Sequence, residues 1–122
     1  VTPILTMKSK HNPLGYESHS EFGNPRLTTH LSYIKSYDPL HNIKKKGFYP
    51  HIFIYSNLND TLVPYKESIL YYEQMKEVDV FKNKKRDLQL FIDPLFGHIQ
   101  GSSKKDKLTS YARIMDMILQ KN

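Results

Sequence analysis

The second half of the chain alternates between apolar runs and amphipathic stretches. Residues 51–56 form a β-prone run without polar alternation, which predicts a strand buried on both faces, as in a parallel sheet. Residues 88–93 predict a second strand of the same kind. Between them, Pro64 and the apolar stripe within 68–77 predict a helix. Residues 108–119 predict a closing amphipathic helix whose apolar face carries Leu108, Tyr111, Ile114, Met115 and Ile118.

The first half of the chain is less regular. Gly and Pro punctuate residues 1–50, and the only helix predicted there runs from about 27 to 37, with Leu31 and Ile34 on one face. The order strand–helix–strand–helix predicts a βαβ unit and therefore an α/β fold with a parallel sheet flanked by helices. Because two strands make a poor independent sheet, we expect further strands upstream of Val1. An isolated chain with such open strand edges is expected to self-associate.

Composition argues against several classes of partner and cofactor. The formal net charge is +6, but the lysines fall in separate loops without interleaved aromatic residues, so we expect no nucleic-acid partner. There is no Cys, which excludes disulfides and thiolate metal sites and fits a reducing, cytoplasmic location. The histidines form no metal-binding motif, so neither a metal nor another cofactor is expected. No apolar run approaches the roughly 20 residues of a membrane span, and no membrane partner is expected.

Two candidate catalytic residues follow the predicted strands. Asp60 lies in the loop after the first strand and His98 in the loop after the second. Function in open α/β sheets gathers at the carboxyl ends of strands, and an acid followed by a histidine matches the end of the Ser–Asp–His order of α/β-hydrolases. Gly97 and Gly101 would let a tight loop expose the ring. On spacing alone, a loop Asp such as Asp60 is more often a turn former, and a loop His such as His98 is more often an exposed surface residue.

Four sequence boxes carry a family resemblance. Residues 21–25 read EFGNP, residues 33–43 read YIKSYDPLHNI, residues 49–52 and 58–60 read YPHI and LND, and residues 97–98 read GH. In order and spacing these boxes resemble the prolyl oligopeptidase family of serine peptidases, and within it oligopeptidase B. The resemblance extends over nearly the whole chain.

The resemblance implies a fold, a reaction and site residues. Residues 1–122 would be the C-terminal segment of an α/β-hydrolase catalytic domain that sits beside a β-propeller, with Asp60 as triad acid and His98 as triad base. Glu21 would contribute to binding of a basic substrate side chain. The full-length parent would hydrolyse short peptides. No G-x-S-x-G stands between Val1 and Asn122, so the nucleophilic Ser is expected upstream and the isolated chain is expected to be inactive.

Departures from the family pattern leave an alternative open. Ser18 and Ser20 stand where the family has acidic residues, Leu62 stands where many relatives have Arg, and Ile99 follows the histidine in place of Gly. A buried cation without a carboxylate partner is costly, so only a weak preference for Arg or Lys is expected. The alternative is a non-catalytic pseudoenzyme or interaction domain on the same scaffold.

Overall fold

The computed structural model describes residues 3–12, 15, 17–98 and 103–119. The described helices and strands follow in chain order: α1 (Pro3–Lys8), α2 (His19–Phe22), α3 (Thr28–Tyr37), a 3₁₀ turn (Pro39–Asn42), β1 (Ile52–Asn57), α4 (Tyr65–Lys76), α5 (Asp79–Lys82), β2 (Leu88–Asp93) and α6 (Lys104–Leu119).

The two strands form a parallel pair. Ile52 of β1 lies opposite Leu88 of β2, and the register ends with Asn57 opposite Asp93. Both strands therefore end at the same level, and the loops that follow them begin side by side. The crossover between them contains α4 and α5, which is the predicted βαβ unit. The parallel sheet and its flanking helices confirm the predicted α/β class, and β2 has the predicted bounds.

Burial of β1 differs from the sequence prediction. A strand buried on both faces was predicted, but only Ile54 and Asn57 of β1 are buried, and the other four residues are half-buried. That prediction is wrong for the described part of the chain. Each strand has one hydrogen-bonded neighbour there. The apolar sequence of β1 is typical of the interior of a larger sheet, but a sheet of two strands does not cover both of its faces.

The main hydrophobic cluster packs between the crossover and the strands. Met75, Val78 and Phe81 are buried, and half-buried residues from β1, β2 and the preceding loop pack against them. Met75 lies on the predicted stripe of α4. This cluster holds the crossover against the start of both strands, and it leaves their carboxyl ends free for other chemistry.

The described residues among the first fifty contain more helix than the sequence predicted. The helix predicted at 27–37 is confirmed as α3, and its Ile34 packs with Ile4 and Met7 of α1 in a second buried cluster. The helices α1 and α2 were not predicted because they span only six and four residues. Helices this short have little intrinsic stability, so tertiary contacts such as those of Ile4 and Met7 decide whether they form.

The orientation of α6 also differs from the prediction. The helix forms, but Leu108, Tyr111, Met115 and Ile118 of its predicted apolar face are 42–58% exposed. The buried residue of the helix is Ser110, which does not belong to the predicted apolar face. Periodicity located an apolar face correctly, but the described chain buries a polar residue beside that face and leaves most of the face exposed.

Candidate functional site

The loop after β1 is organised around the Asp60 carboxylate. Asp60 Oδ1 accepts hydrogen bonds from the backbone N–H groups of Leu62 (2.9 Å) and Val63 (2.8 Å). The side chain is only 11% exposed. An aspartate that bonds to backbone donors two and three residues ahead closes a local turn, and the turn fixes the direction of its second oxygen. Oδ2 is thus presented to the neighbouring loop.

His98 in the loop after β2 meets that oxygen. Its Nδ1 lies 3.0 Å from Asp60 Oδ2 and 3.2 Å from Oδ1, and the ring is about half exposed. An ionised carboxylate only accepts hydrogen bonds, so Nδ1 is the donor in this contact, and Nε2 is then the acceptor of the neutral imidazole ring. Both residues lie in the loops that follow the two neighbouring strands, as predicted, and the structure brings a carboxylate oxygen of Asp60 to Nδ1 of His98.

Amide side chains hold the two loops together. Asn57 Nδ2 donates to the Gly97 carbonyl (2.7 Å), and Asn59 Nδ2 donates to the Pro94 carbonyl (3.0 Å). A Cβ at Gly97 would lie 3.2 Å from the Asn59 carbonyl oxygen, so a side chain there would crowd the contact. Loops joined in this way keep Asp60 and His98 at a fixed separation.

The N-terminal segment buttresses the acid loop from the other side. Asn12 Nδ2 donates to the carbonyls of Leu62 (2.8 Å) and Thr61 (3.3 Å). Thr6 donates its backbone N–H (3.0 Å) and its hydroxyl to Glu67 Oε1 at the start of α4. Asn12 therefore stabilises the turn that carries Asp60, and Thr6 ties α1 to the start of α4, although both precede these partners by about fifty to sixty positions.

A buried carboxylate ends β2 beside the site. Asp93 Oδ2 accepts from the Tyr55 hydroxyl (2.7 Å) and Arg113 Nη1 (3.1 Å), and Oδ1 accepts from the Leu95 N–H (2.9 Å). Burial by itself raises the pKa of Asp93, but these hydrogen bonds and the Arg113 charge outweigh burial and hold the pKa below its ordinary value. Burial and the hydrogen bond to Asp93 raise the pKa of Tyr55. The network ties β1, β2 and α6 together behind the histidine loop.

We expect Asp93→Asn to lower the free energy of unfolding by about 1–3 kcal/mol at neutral pH, since it removes a buried hydrogen-bonded charge. Because the folded-state pKa of Asp93 is depressed, its contribution is present above the ordinary pKa of about 4 and is lost as the pH falls through the folded-state pKa. Urea unfolding at pH 7 and at pH 3 measures the difference.

The exposed Glu73, which pairs with Lys76 on the surface of α4, supplies the control. Glu73→Gln is expected to change stability by less than about 1 kcal/mol at either pH. If Asp93→Asn destabilised the protein equally at pH 7 and pH 3, the assigned protonation of Asp93 would be wrong.

Glu21 lies apart from the Asp60–His98 pair in the contacts of the described residues. It is exposed on α2, and no described hydrogen bond or ion pair links it to either residue. Ser18 and Ser20 bond to the backbone carbonyls of Gly15 and Glu17. The two positions predicted to shape the histidine loop beyond His98, residues 99 and 101, lie outside the described residues.

Sequence reasoning missed two residues that build the site, Asn57 and Asp93. Each is the last residue of its strand, and each is a polar residue that ends an apolar run. That position was a usable signal, because polar side chains at the carboxyl edge of a parallel sheet point toward the loops that carry function. The predicted first strand stops at residue 56, one residue before Asn57, and the predicted second strand includes Asp93 without a further role.

The described residues contain no cluster of three or more side chains that would suit a metal ion. No helix in that part of the chain combines the length and apolar character required to cross a membrane.

A parallel α/β unit with an Asp–His contact across two strand ends is the arrangement found in α/β-hydrolases. Comparison with known proteins gives the same class. Residues 1–121 match the model of the prolyl oligopeptidase family. The chain belongs to the prolyl oligopeptidase family of serine peptidases, and its fold is part of an α/β-hydrolase fold.

The relatives are peptidases by name. The chain is 30% identical over 122 residues to "Protease 2" of Moraxella lacunata, covering 97% of this chain and 17% of that protein. It is 38% identical over 78 residues to "Prolyl endopeptidase-like" of Gallus gallus, covering 63% of this chain and 10% of that protein. "Dipeptidyl aminopeptidase BI" of Pseudoxanthomonas mexicana is 30% identical over 82 residues, which is 67% of this chain and 11% of that protein. The chain thus spans under a fifth of the length of these relatives.

Proposed function

We propose that the chain supplies the acid and the base of a serine peptidase site, with Asp60 as the acid and His98 as the base. The observation that carries the proposal is the 3.0 Å contact between Asp60 Oδ2 and His98 Nδ1. The two backbone N–H groups on Oδ1 support it, because they orient the carboxylate before any substrate binds.

The tautomer of His98 defines its part in the reaction. With Nδ1–H donated to Asp60, Nε2 takes the proton of a serine hydroxyl while the serine oxygen attacks the peptide carbonyl carbon. His98 then returns that proton to the leaving amine as the C–N bond breaks. Water cleaves the resulting ester with the same base. Asp60 stabilises the imidazolium in both steps and keeps its own charge.

The serine is proposed to come from outside residues 1–122, because this sequence holds no G-x-S-x-G. Residues 1–122 would then be the C-terminal segment of a catalytic domain, and the isolated chain would be inactive. The names of the relatives support a peptide substrate for the full-length protein. We propose short peptides, with an adjacent β-propeller limiting access, and a cytoplasmic location.

Specificity is the part of the proposal that a substrate panel tests. Glu21 is a carboxylate in a region where Ser18 and Ser20 contribute none, so we expect hydrolysis of short peptides with an Arg or Lys preference below about 10³-fold in kcat/KM. The measurement compares matched peptides with Arg, Lys, Ala or Phe before the cleaved bond, using the intact protein and its Glu21→Gln variant.

Glu21→Gln is expected to reduce the preference for Arg while Ala and Phe peptides are cleaved as before. A preference for Arg far above 10³-fold that survives in Glu21→Gln would show that other carboxylates form the pocket. An intact, folded protein that cleaves no member of the panel would contradict the peptidase proposal and favour a non-catalytic scaffold.

A further inference from the structure

Asn57 makes a hydrogen bond to the histidine loop that is separate from the contact between Asp60 and His98. Its side-chain Nδ2 donates to the carbonyl oxygen of Gly97 at 2.7 Å, and Gly97 immediately precedes His98. Asn57 also ends β1, in register with Asp93 at the end of β2. Its side chain therefore reaches from the end of β1 to the backbone of the residue that directly precedes the proposed base.

The burial of Asn57 strengthens this hydrogen bond. The residue is 7% exposed, so water competes little for the amide. The other loop-bridging amide belongs to Asn59, which is exposed and bonds to Pro94, four residues before His98. Of the two amides, Asn57 is the one placed to control the histidine.

The same amide carries a feature that works against stability. Its buried Oδ1 accepts no hydrogen bond from any described residue. A buried acceptor without a donor destabilises a fold, and an apolar side chain of similar size would avoid that cost. Rotating the amide would not help, because Oδ1 would then face the Gly97 carbonyl oxygen and the two acceptors would repel. The amide is therefore suited to holding Gly97 and poorly suited to general packing.

We propose that Asn57 is a positioning residue, which fixes the Gly97 carbonyl and thereby keeps His98 Nδ1 within hydrogen-bond distance of the Asp60 carboxylate. The inference rests on the proposed function, in which His98 is the base. Without the Asn57 bond, the Gly97 carbonyl loses its side-chain donor, and the other hydrogen bonds that hold this loop to the strand ends lie earlier, at residues 94–96. The contact of His98 with Asp60 is then less supported, so the ring leaves the productive position for part of the time.

The test replaces Asn57 in the intact protein. Asn57→Leu is expected to lower kcat for peptide hydrolysis about 10- to 100-fold, the scale of a misplaced catalytic group, with KM changed less than about twofold. The melting temperature is expected to stay the same or rise. Asn57→Asp retains the shape but loses the donor, so its kcat should fall at least as far. Asn83, exposed and before β2, is the control, and Asn83→Leu should preserve kcat.

A second readout does not depend on activity. The proton on His98 Nδ1, bonded to Asp60, gives a far-downfield NMR resonance, which Asp60→Asn identifies by removing it. Both Asn57 variants are expected to broaden or lose this resonance, whereas Asn83→Leu keeps it. Wild-type kcat and an unchanged resonance in Asn57→Leu and Asn57→Asp would overturn the positioning role. Loss of the resonance in a protein that hydrolyses no peptide would support the positioning role and contradict the proposed function.

Discussion

Asp60→Asn in the intact protein is expected to lower kcat about 10⁴-fold without unfolding the acid loop. The amide oxygen of Asn can still accept from the Leu62 and Val63 N–H groups, as Asp60 Oδ1 does. The amide NH₂ would then face His98 and donate to Nδ1. This moves the ring proton to Nε2, so His98 can no longer accept the proton of the serine.

His98→Ala is expected to lower kcat about 10⁶-fold relative to wild type, which is more than Asp60→Asn, because it removes the base itself. The double variant should be no slower than His98→Ala alone, since the two residues act as a unit. Steady-state hydrolysis of the best peptide in the panel measures all three variants.

A second Asp–His contact in the chain provides a matched control. His51 Nδ1 lies 3.2 Å from Asp87 Oδ2, where the strands begin rather than end. His51→Ala and Asp87→Asn are expected to leave kcat within about twofold of wild type. If they reduced activity as much as the site variants, the loss would reflect a general sensitivity of the fold, and the roles of Asp60 and His98 would be wrong.

The isolated 122-residue chain is expected to self-associate, as the sequence predicted from its open strands. The structure adds α6 as a contact surface, because Leu108, Tyr111, Met115 and Ile118 recur at three- and four-residue spacing and are exposed. Burying Leu108 and Met115 against a second copy contributes about 1.5–3 kcal/mol for each side chain. Light scattering across a dilution series should show a mass that falls with concentration.

Replacing Leu108 and Met115 by Gln should raise the dissociation constant at least about tenfold, which corresponds to about 1.4 kcal/mol. Lys107→Gln changes an exposed polar residue of the same helix and is expected to have little effect. A wild-type chain that stays monomeric at every concentration would contradict the prediction and identify these residues as a self-sufficient domain.

Periodicity and chain order were sufficient for the parts of the fold that are local or repetitive. The apolar run of β2 and the stripe of α3 containing Ile34 were predicted closely, because the hydrophobic pattern of each element lies within its own segment of the sequence. The pairing of Asp60 with His98 followed from topology, since parallel strands joined by a crossover place their following loops together.

The remainder depends on contacts between distant segments, which a single sequence does not specify. Met7 helps to stabilise the six-residue α1 by packing on Ile34, far along the chain. Asn57 could not be connected to Gly97 before the register of the strands was known. The burial of Ser110, in place of the apolar face of α6, likewise depends on how that helix lies against the strands. Side chains that support a site are harder to predict than the site residues, because their partners are backbone atoms of other loops.

Labelling with a fluorophosphonate, followed by mass spectrometric mapping, tests whether Asp60 and His98 activate a serine. We expect the intact protein to be labelled at one serine outside residues 1–122, His98→Ala and Asp60→Asn to slow labelling strongly, and the isolated chain to stay unlabelled. Stoichiometric labelling of a serine within residues 1–122, or a labelling rate unchanged by His98→Ala, would contradict this expectation.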